Sequence, residues 1–472
     1  MFLVRSFTVL FHKKEVFKIN QGQKRENFTS QIGVVLAAAG SAIGIGNVWR
    51  FSYVVGVNGG GAFLLIYIIC VLFVGLPLIL AELALGRETK KSAVSAFKQM
   101  APKSFWWIAG ATGVLASFLI MTYYPLVAGW SIGYMYESIV NWVPMTTDPA
   151  AFFESYVSGT AKPVIVLVIS LILTALTLVG GVAKGIEKWC KILMPIFIVI
   201  ICILIVRSLT LPGAFEGVKF LFLPDFSKLG LHSFIDALGH GFYSLSVGMA
   251  IMITYGSYVR DEEDLISTSI SVLGLDTITA LMAGLAIFPA VFALGFEPNS
   301  GAGLAFITLP KTFSLMPFGQ VFAVLFFLLL VVSALASMMS LLQVLVAFLE
   351  DEFGFKKRNI LIVLTIILFA AGIPSILSYS SMAEFKIFGM TYFDFMDKFS
   401  ANVIVPVTGL LTAFFVAFRY GAKKIQEQIA QGAKNPDSFL IRAFPFLIKY
   451  LVPISVILIL LSALGVFNFI FE

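Results

Sequence analysis

Charge is what this sequence lacks. Asp, Glu, Lys and Arg supply 12% of its 472 residues, against roughly 25% in a soluble domain. Cysteine and histidine are also scarce, at three copies each. Cys70, Cys190 and Cys202 are odd in number, share no CxxC spacing and lie in apolar stretches. Reduced, buried thiols are expected, rather than a disulfide framework or a thiolate metal site. The apolar run at residues 1–11 is shorter than the ~20 residues a span needs. His12, Lys13 and Lys14 follow it instead of a small-residue cleavage site, so residues 1–23 read as a cytoplasmic tail and not a signal peptide. The net charge of +6 is spread over many loops, which argues against nucleic acid as a partner.

What is present is apolar. Hydrophobic residues make up 59% of the chain, with 47 Phe, and the mean hydropathy is +0.97. Lipid is therefore the solvent. Long apolar runs give eleven candidate spans, at 31–55, 62–86, 105–138, 163–180, 186–207, 233–258, 264–295, 317–350, 358–376, 391–420 and 441–467. Backbone groups in lipid must be paired internally, so the fold class is an all-α membrane protein. Segment 299–314 reads as a structured external loop holding a short helix. Alternate loops are rich in basic residues: Lys24 and Arg25; Arg87, Lys90, Lys91, Lys98 and Lys103; Lys184 and Lys188; Lys356, Lys357 and Arg358; Arg419, Lys423 and Lys424. The positive-inside rule places these loops and the N-terminus in the cytoplasm, and the C-terminus outside. Residues 24–440 form the core, and 441–472 an eleventh helix with a short external end.

Few polar or flexible residues lie inside spans, and each needs a reason. The first span carries Gly40, Gly44 and Gly46, then Asn47 and Arg50. Each Gly costs ~1 kcal/mol relative to Ala inside a helix. Two readings stand: close helix packing through small residues, or local unwinding that frees backbone groups for a ligand. The sixth span repeats the theme with His240, Gly241, Tyr243, Ser244, Ser246, Gly248 and Met249. An interrupted helix in each half of a chain points to a transporter site. In the fifth span Gly185 and Pro195, with nine residues between them, mark either an unwinding point or a proline kink. Glu82 lies near the end of span 2, as a cap or interfacial charge or as a buried group. Asp276 lies inside span 7, where a buried carboxylate calls for a cation. The run Asp261-Glu-Glu-Asp264 admits a membrane prenyltransferase holding magnesium and diphosphate, or merely favours a helix N-terminus.

Several segments together resemble the neurotransmitter:sodium symporter family. They are Leu36 to Phe51, Asn58-Gly-Gly-Gly-Ala-Phe63, Gly75-Leu-Pro-Leu with Glu82 and Gly86-Arg87, Lys184-Gly-Ile-Glu-Lys188, Ile253-Thr-Tyr-Gly-Ser-Tyr258 and Ala347-Phe-Leu-Glu-Asp351-Glu352. The likeness spans residues 24–467. It implies two inverted five-helix repeats, at about 31–207 and 233–420, with broken helices 1 and 6. The eleven-helix ending resembles bacterial members that carry hydrophobic amino acids. The resemblance implies sodium-coupled symport of an amino acid by a protein that is not an enzyme. It implies a bacterial cytoplasmic membrane and a monomer or weak homodimer. A proton-coupled carrier of the same fold, using His240 or Glu82, is the alternative.

Residue roles follow from the resemblance. The substrate amine would meet carbonyls of Ala42, Tyr243 and Ser244 and the Ser246 hydroxyl. The carboxylate would meet amides near Gly44 and Gly46, the Tyr124 hydroxyl and a sodium ion. Ile120, Tyr124, Tyr243, Met249, Ser337 and Leu341 would surround the side chain. Monoamine carriers of the family place Asp at the position of Gly44. Glycine leaves room for a carboxylate, so a hydrophobic or aromatic L-amino acid is expected. One sodium would use Ala42, Asn47 and Ser244. Asp276 stands where chloride-dependent relatives have Asn, which implies chloride independence. A second sodium would use Gly40, Ile43, Ser333 and Ser337, but Ala336 replaces a frequent oxygen ligand, so one or two ions are expected. Arg50 and Asp397 would gate the outside; Arg25, Asp351, Ser257 and Tyr258 would gate the cytoplasm. Glu82 would support broken helix 6.

Overall fold

The computed structural model describes residues 25–295 and 303–466. The tail at 1–23, the first part of the 299–314 loop and the last residues of the C-terminal segment lie outside that range. The described residues contain only helices and connections, with two isolated bridges and no strand.

We label the spans α1 to α11. α1 is broken, Gln31–Ala42 and Gly46–Val57, bent by 56°. α2 is Gly61–Thr89, α3 Trp107–Val140, α4 Ala161–Leu178 and α5 Val182–Leu209. α6 is again broken, Leu231–Ser244 and Ile251–Gly256. α7 is Leu265–Ala293, α8 Gly319–Phe353, α9 Lys357–Leu377, α10 Tyr392–Ala430 and α11 Phe439–Ala463. Among the described residues, nine helices pass on length and apolarity alone, and bent α1 makes ten. The eleventh expected span, α6, is recovered only as two pieces, because 14 and 6 residues are each shorter than the ~20 a bilayer requires.

The two breaks have local causes. In α1, Ile43 leaves the helical region at ψ 82°. Its N–H still reaches Ala39 O, and the next amide, Gly44, turns back to Ala42 O at 2.9 Å. Carbonyls one turn earlier lose their helical donors. In α6, Ser246, Gly248 and Ala250 all have positive φ. Gly248 also needs its missing side chain, since a Cβ there would fall 2.4 Å from Val405 O. Small residues at the front of α1, Ala37, Ala38 and Ala39, are fully buried, which lets neighbouring backbones approach closely. Both readings of the glycine-rich span therefore hold, packing before the break and unwinding at it.

Candidate functional site

The two breaks face one small cavity. Ala42, Gly44, Gly46, Ile120, Tyr124, Tyr243, Ser244, Ser246, Met249, Ser337 and Leu341 all line it. Every residue expected around the substrate is thus brought together. Ser41, Asn47 and Ile251 line it as well. The polar and apolar parts are separated. Ile45 N–H donates to the Tyr124 hydroxyl at 3.1 Å, near the Gly44 turn. Ile120, Met249, Ile251 and Leu341 supply an apolar wall. A Cβ at Gly44 would sit 2.8 Å from Ser337 Oγ and 3.0 Å from Tyr124 OH, so that corner tolerates no side chain.

Oxygen atoms converge beside this corner. Gly44 N–H approaches both Ala42 O, at 2.9 Å, and Asn47 Oδ1, at 3.1 Å. Asn47 Nδ2 donates to Asp276 Oδ1 at 2.6 Å and to Ser244 Oγ at 3.2 Å. Ser244 Oγ donates to the same Asp276 oxygen at 2.7 Å. Tyr67 OH donates to Asp276 Oδ2 at 3.0 Å. Asn47 and Asp276 are fully buried. Apart from Asn47 Nδ2, the polar side-chain atoms gathered here are oxygens, one pair from a carboxylate, and such groups suit a hard cation rather than a soft metal.

A second group lies where α1 passes α8. Ser337 Oγ donates to Ser41 O at 3.0 Å, and Ser246 Oγ donates to the same carbonyl at 3.1 Å. Gly40 faces Ala336, whose Cβ would lie 3.6 Å from a Cβ built on Gly40. Ser333 Oγ donates to Leu330 O within its own helix. Methyl and thiol groups therefore fill part of this contact, with Cys190 Sγ 3.3 Å from the same built atom.

The model of the sodium:neurotransmitter symporter family matches residues 25–157 and 153–470. The chain belongs to that family. An uncharacterised sodium-dependent transporter of Bacillus subtilis, YhdH, is 35% identical over 449 residues, 95% of this chain and 99% of its own. Another, of Haemophilus influenzae, is 34% identical over 457 residues, 94% and 99% of the two chains. The crystal structure of MhsT in complex with L-phenylalanine matches with a TM-score of 0.85 at 39% identity, over 93% of this chain and 100% of that one. The chain is a sodium-dependent transporter with the inverted-repeat fold, and not an enzyme.

The acidic run of the symporter has ordinary duties. Asp264 caps α7 by accepting from Ile266 N and Ser267 N. Asp261 pairs with Lys90, and Glu263 with Arg260. This replaces the prenyltransferase reading.

In the cluster expected to gate the cytoplasm, the Arg25 guanidinium meets both Asp351 oxygens at 2.8 Å. Its Nε donates to Ser257 Oγ at 3.0 Å, and it stands 4.8 Å over the Tyr258 ring. Burial opposes the Arg25 charge, yet Tyr258 and Asp351 hold it above the ordinary arginine range. All four residues expected there meet. The outer pair does not: Arg50 forms no ion pair with Asp397 and instead lies 5.1 Å over the Tyr243 ring. The turn Gly46–Arg50 aims the guanidinium at that aromatic face.

Glu82 Oε1 accepts from Gly248 N at 2.8 Å inside the α6 break. His240 packs on Phe51 and Tyr67. Helix α5 is not unwound at Gly185. A π-helical turn over Val182–Glu187 runs into a continuous helix across Pro195. Glu187 anchors that turn by accepting from Thr29 N and Oγ1, and Glu26 accepts from Val182 N at 2.6 Å.

Sequence reasoning missed Tyr67, Ser41 and Ile251. A tyrosine inside an apolar span was a usable signal for Tyr67. Ser41 acts through its carbonyl, and Ile251 is one apolar residue among many, so neither left a signal.

Proposed function

We propose that the symporter imports a hydrophobic or aromatic L-amino acid with sodium, without needing chloride. The observation that carries this is the pairing of a side-chain-free corner at Gly44 with an apolar wall in one cavity. Ala42, Tyr243 and Ser244 carbonyls and the Ser246 hydroxyl receive the amine. The amides around Gly44 and Gly46, the Tyr124 hydroxyl and a sodium ion receive the carboxylate. Ile120, Met249, Ser337 and Leu341 surround the side chain. The bound L-phenylalanine named for MhsT supports the same substrate class.

Ala42, Asn47, Ser244 and Asp276 fit a first sodium. The ion supplies positive charge beside the substrate carboxylate, so each binds better with the other present, and the coupling is reciprocal. Gly40, Ile43, Ser333 and Ser337 form a second, poorer site, because Ala336 brings a methyl where a hydroxyl would add an oxygen. Asp276 provides the fixed negative charge that a chloride would otherwise bring. Arg25 and Asp351 close the cytoplasmic side, Arg50 caps the cavity from the outside by lying over Tyr243, and Glu82 keeps α6 broken. The N-terminus lies in the cytoplasm of a bacterial cell, and the protein is a monomer or a weak homodimer.

The test is equilibrium binding to purified protein at fixed pH. L-Phenylalanine, L-tryptophan, L-tyrosine and L-leucine should bind in sodium gluconate and not in potassium gluconate. Phenethylamine, which lacks the carboxylate, should bind far more weakly. Preference for the amine overturns the substrate class. Sodium-independent binding that follows pH would favour the proton-coupled alternative.

A further inference from the structure

A cation held between two helices needs oxygens from both. Where α1 passes α8, the break in α1 supplies its share. Gly44 N–H turns to Ala42 O and Asn47 Oδ1, and Asn47 N–H turns to Gly44 O at 3.2 Å. In a continuous helix these two amides would serve Gly40 O and Ile43 O, so both carbonyls lose their helical donors. The facing side of α8 supplies little to match them. Ala336 brings a methyl group, 3.6 Å from a Cβ built on Gly40. The other two atoms nearest that point are Cys190 Sγ at 3.3 Å and Met194 Sδ at 3.6 Å. A thiol and a thioether suit soft metals, not sodium. Ser333 Oγ donates to Leu330 O of its own helix. The first site has the Asp276 carboxylate, whereas Ser333, Ala336 and Ser337 bring no charge, and a buried cation without a counter-charge is costly.

Hydrogen bonds hold the helices together at this point. Ser337 Oγ donates to Ser41 O at 3.0 Å, and Ser246 Oγ donates to the same oxygen at 3.1 Å. Ser41 Oγ lies 3.1 Å from Ser246 Oγ and donates to it. All three serines are buried. One carbonyl beside the α1 break thus receives a hydroxyl from α8 and another from the break in α6. That is the bridging role a second ion would have. We propose that transport is coupled to one sodium ion per amino acid. The ion is held at Asn47, Ser244 and Asp276, and Ser41, Ser246 and Ser337 brace α1, α6 and α8 in place of a second ion. The poorer site at Gly40 takes no ion during transport, because Ala336 offers no oxygen. This inference rests on the sodium-coupled reading above and fixes its ratio. One ion beside the substrate carboxylate suffices for reciprocal coupling, and a zwitterionic amino acid then crosses with one net positive charge.

The experiment uses purified full-length wild type, Ala336→Ser and Ala336→Cys. Equilibrium dialysis with radioactive sodium, at saturating L-phenylalanine, counts ions per protein. A sodium titration of L-phenylalanine binding gives the Hill slope. Wild type should hold one ion and show a slope of about 1, since the slope cannot exceed the number of coupled sites. Ala336→Ser adds the absent oxygen and should hold a second ion, with a slope approaching about 2. Ala336→Cys adds similar bulk with a soft atom and should stay at one ion. Two ions on wild type overturn the proposal, and that count decides the matter even where a variant fails to fold. A folded Ala336→Ser protein that still holds one ion, or an Ala336→Cys protein that holds two, also overturns it. Amino-acid binding that ignores sodium would overturn the transport reading and this inference together, whereas a two-ion count on wild type overturns this inference alone.

Discussion

Asn47 Nδ2 and Asp276 Oδ1 are 2.6 Å apart in a region closed to solvent. They join α7 to the break in α1, and Ser244 brings in the break in α6 through the same oxygen. A buried carboxylate is costly unless a cation balances it. The proposed sodium at this point therefore compensates Asp276 and fixes both broken helices at once.

Asp276→Asn keeps the shape and removes the charge. The sodium concentration needed for half-maximal L-phenylalanine binding should rise about ten-fold or more in gluconate, a change of ~1.4 kcal/mol. Chloride should restore part of the loss in the variant and change nothing in wild type. An unaltered sodium titration for the variant in gluconate would remove Asp276 from the ion site.

Gly44 faces Ser337 Oγ and Tyr124 OH at distances that leave no room for a methyl group. Overpacking of this kind costs about 1–3 kcal/mol. Gly44→Ala should weaken amino-acid binding by at least about ten-fold, since the crowding falls on the substrate corner, and should also lower the thermal unfolding temperature. Isothermal titration with L-phenylalanine reads the first quantity. Binding as tight as wild type would show that the carboxylate sits elsewhere.

The Arg25–Asp351 pair should hold the cytoplasmic side shut. Partly exposed pairs are worth roughly 1 kcal/mol or less, enough to bias a two-state equilibrium several-fold. Cys190 reports on this, because it is buried against Gly40 behind that closure. In a Cys70→Ser, Cys202→Ser background, Arg25→Ala should raise the maleimide labelling rate of Cys190 several-fold, and sodium with L-phenylalanine should lower it again. Identical rates with and without Arg25 would sink the gate.

The spans and the central cavity were legible because they rest on strong signals. Twenty-residue apolar runs, glycines and hydroxyls at bilayer depth, and family motifs all survive in one dimension. The break in α6 was expected from its glycines and hydroxyls and from the family resemblance, although hydropathy, which does not register a change of backbone direction, gives one run over 233–258. The Arg50 contact with Tyr243 was not legible: the resemblance implied Asp397 as its partner, while the local turn decides where the guanidinium points. Glu187, which ties Thr29 to the start of α5, entered the sequence reading only as part of the segment Lys184–Lys188. Its role depends on a partner 158 positions away in sequence.

Glu82 offers the sharpest separation between support and binding. Its Oε1 accepts from Gly248 N, a backbone donor left free where α6 is broken. Glu82→Ala leaves that buried donor unpaired, at a cost of about 1–3 kcal/mol. Glu82→Gln keeps an acceptor oxygen in place and should cost less. Thermal unfolding in one detergent should therefore rank wild type highest, then Gln, then Ala, with the Ala variant several degrees lower. Glu82 is not one of the residues that line the cavity, so the Gln variant should retain sodium-dependent L-phenylalanine binding. A Gln variant that is as unstable as Ala, or stable but unable to bind, would show that the charge itself serves transport.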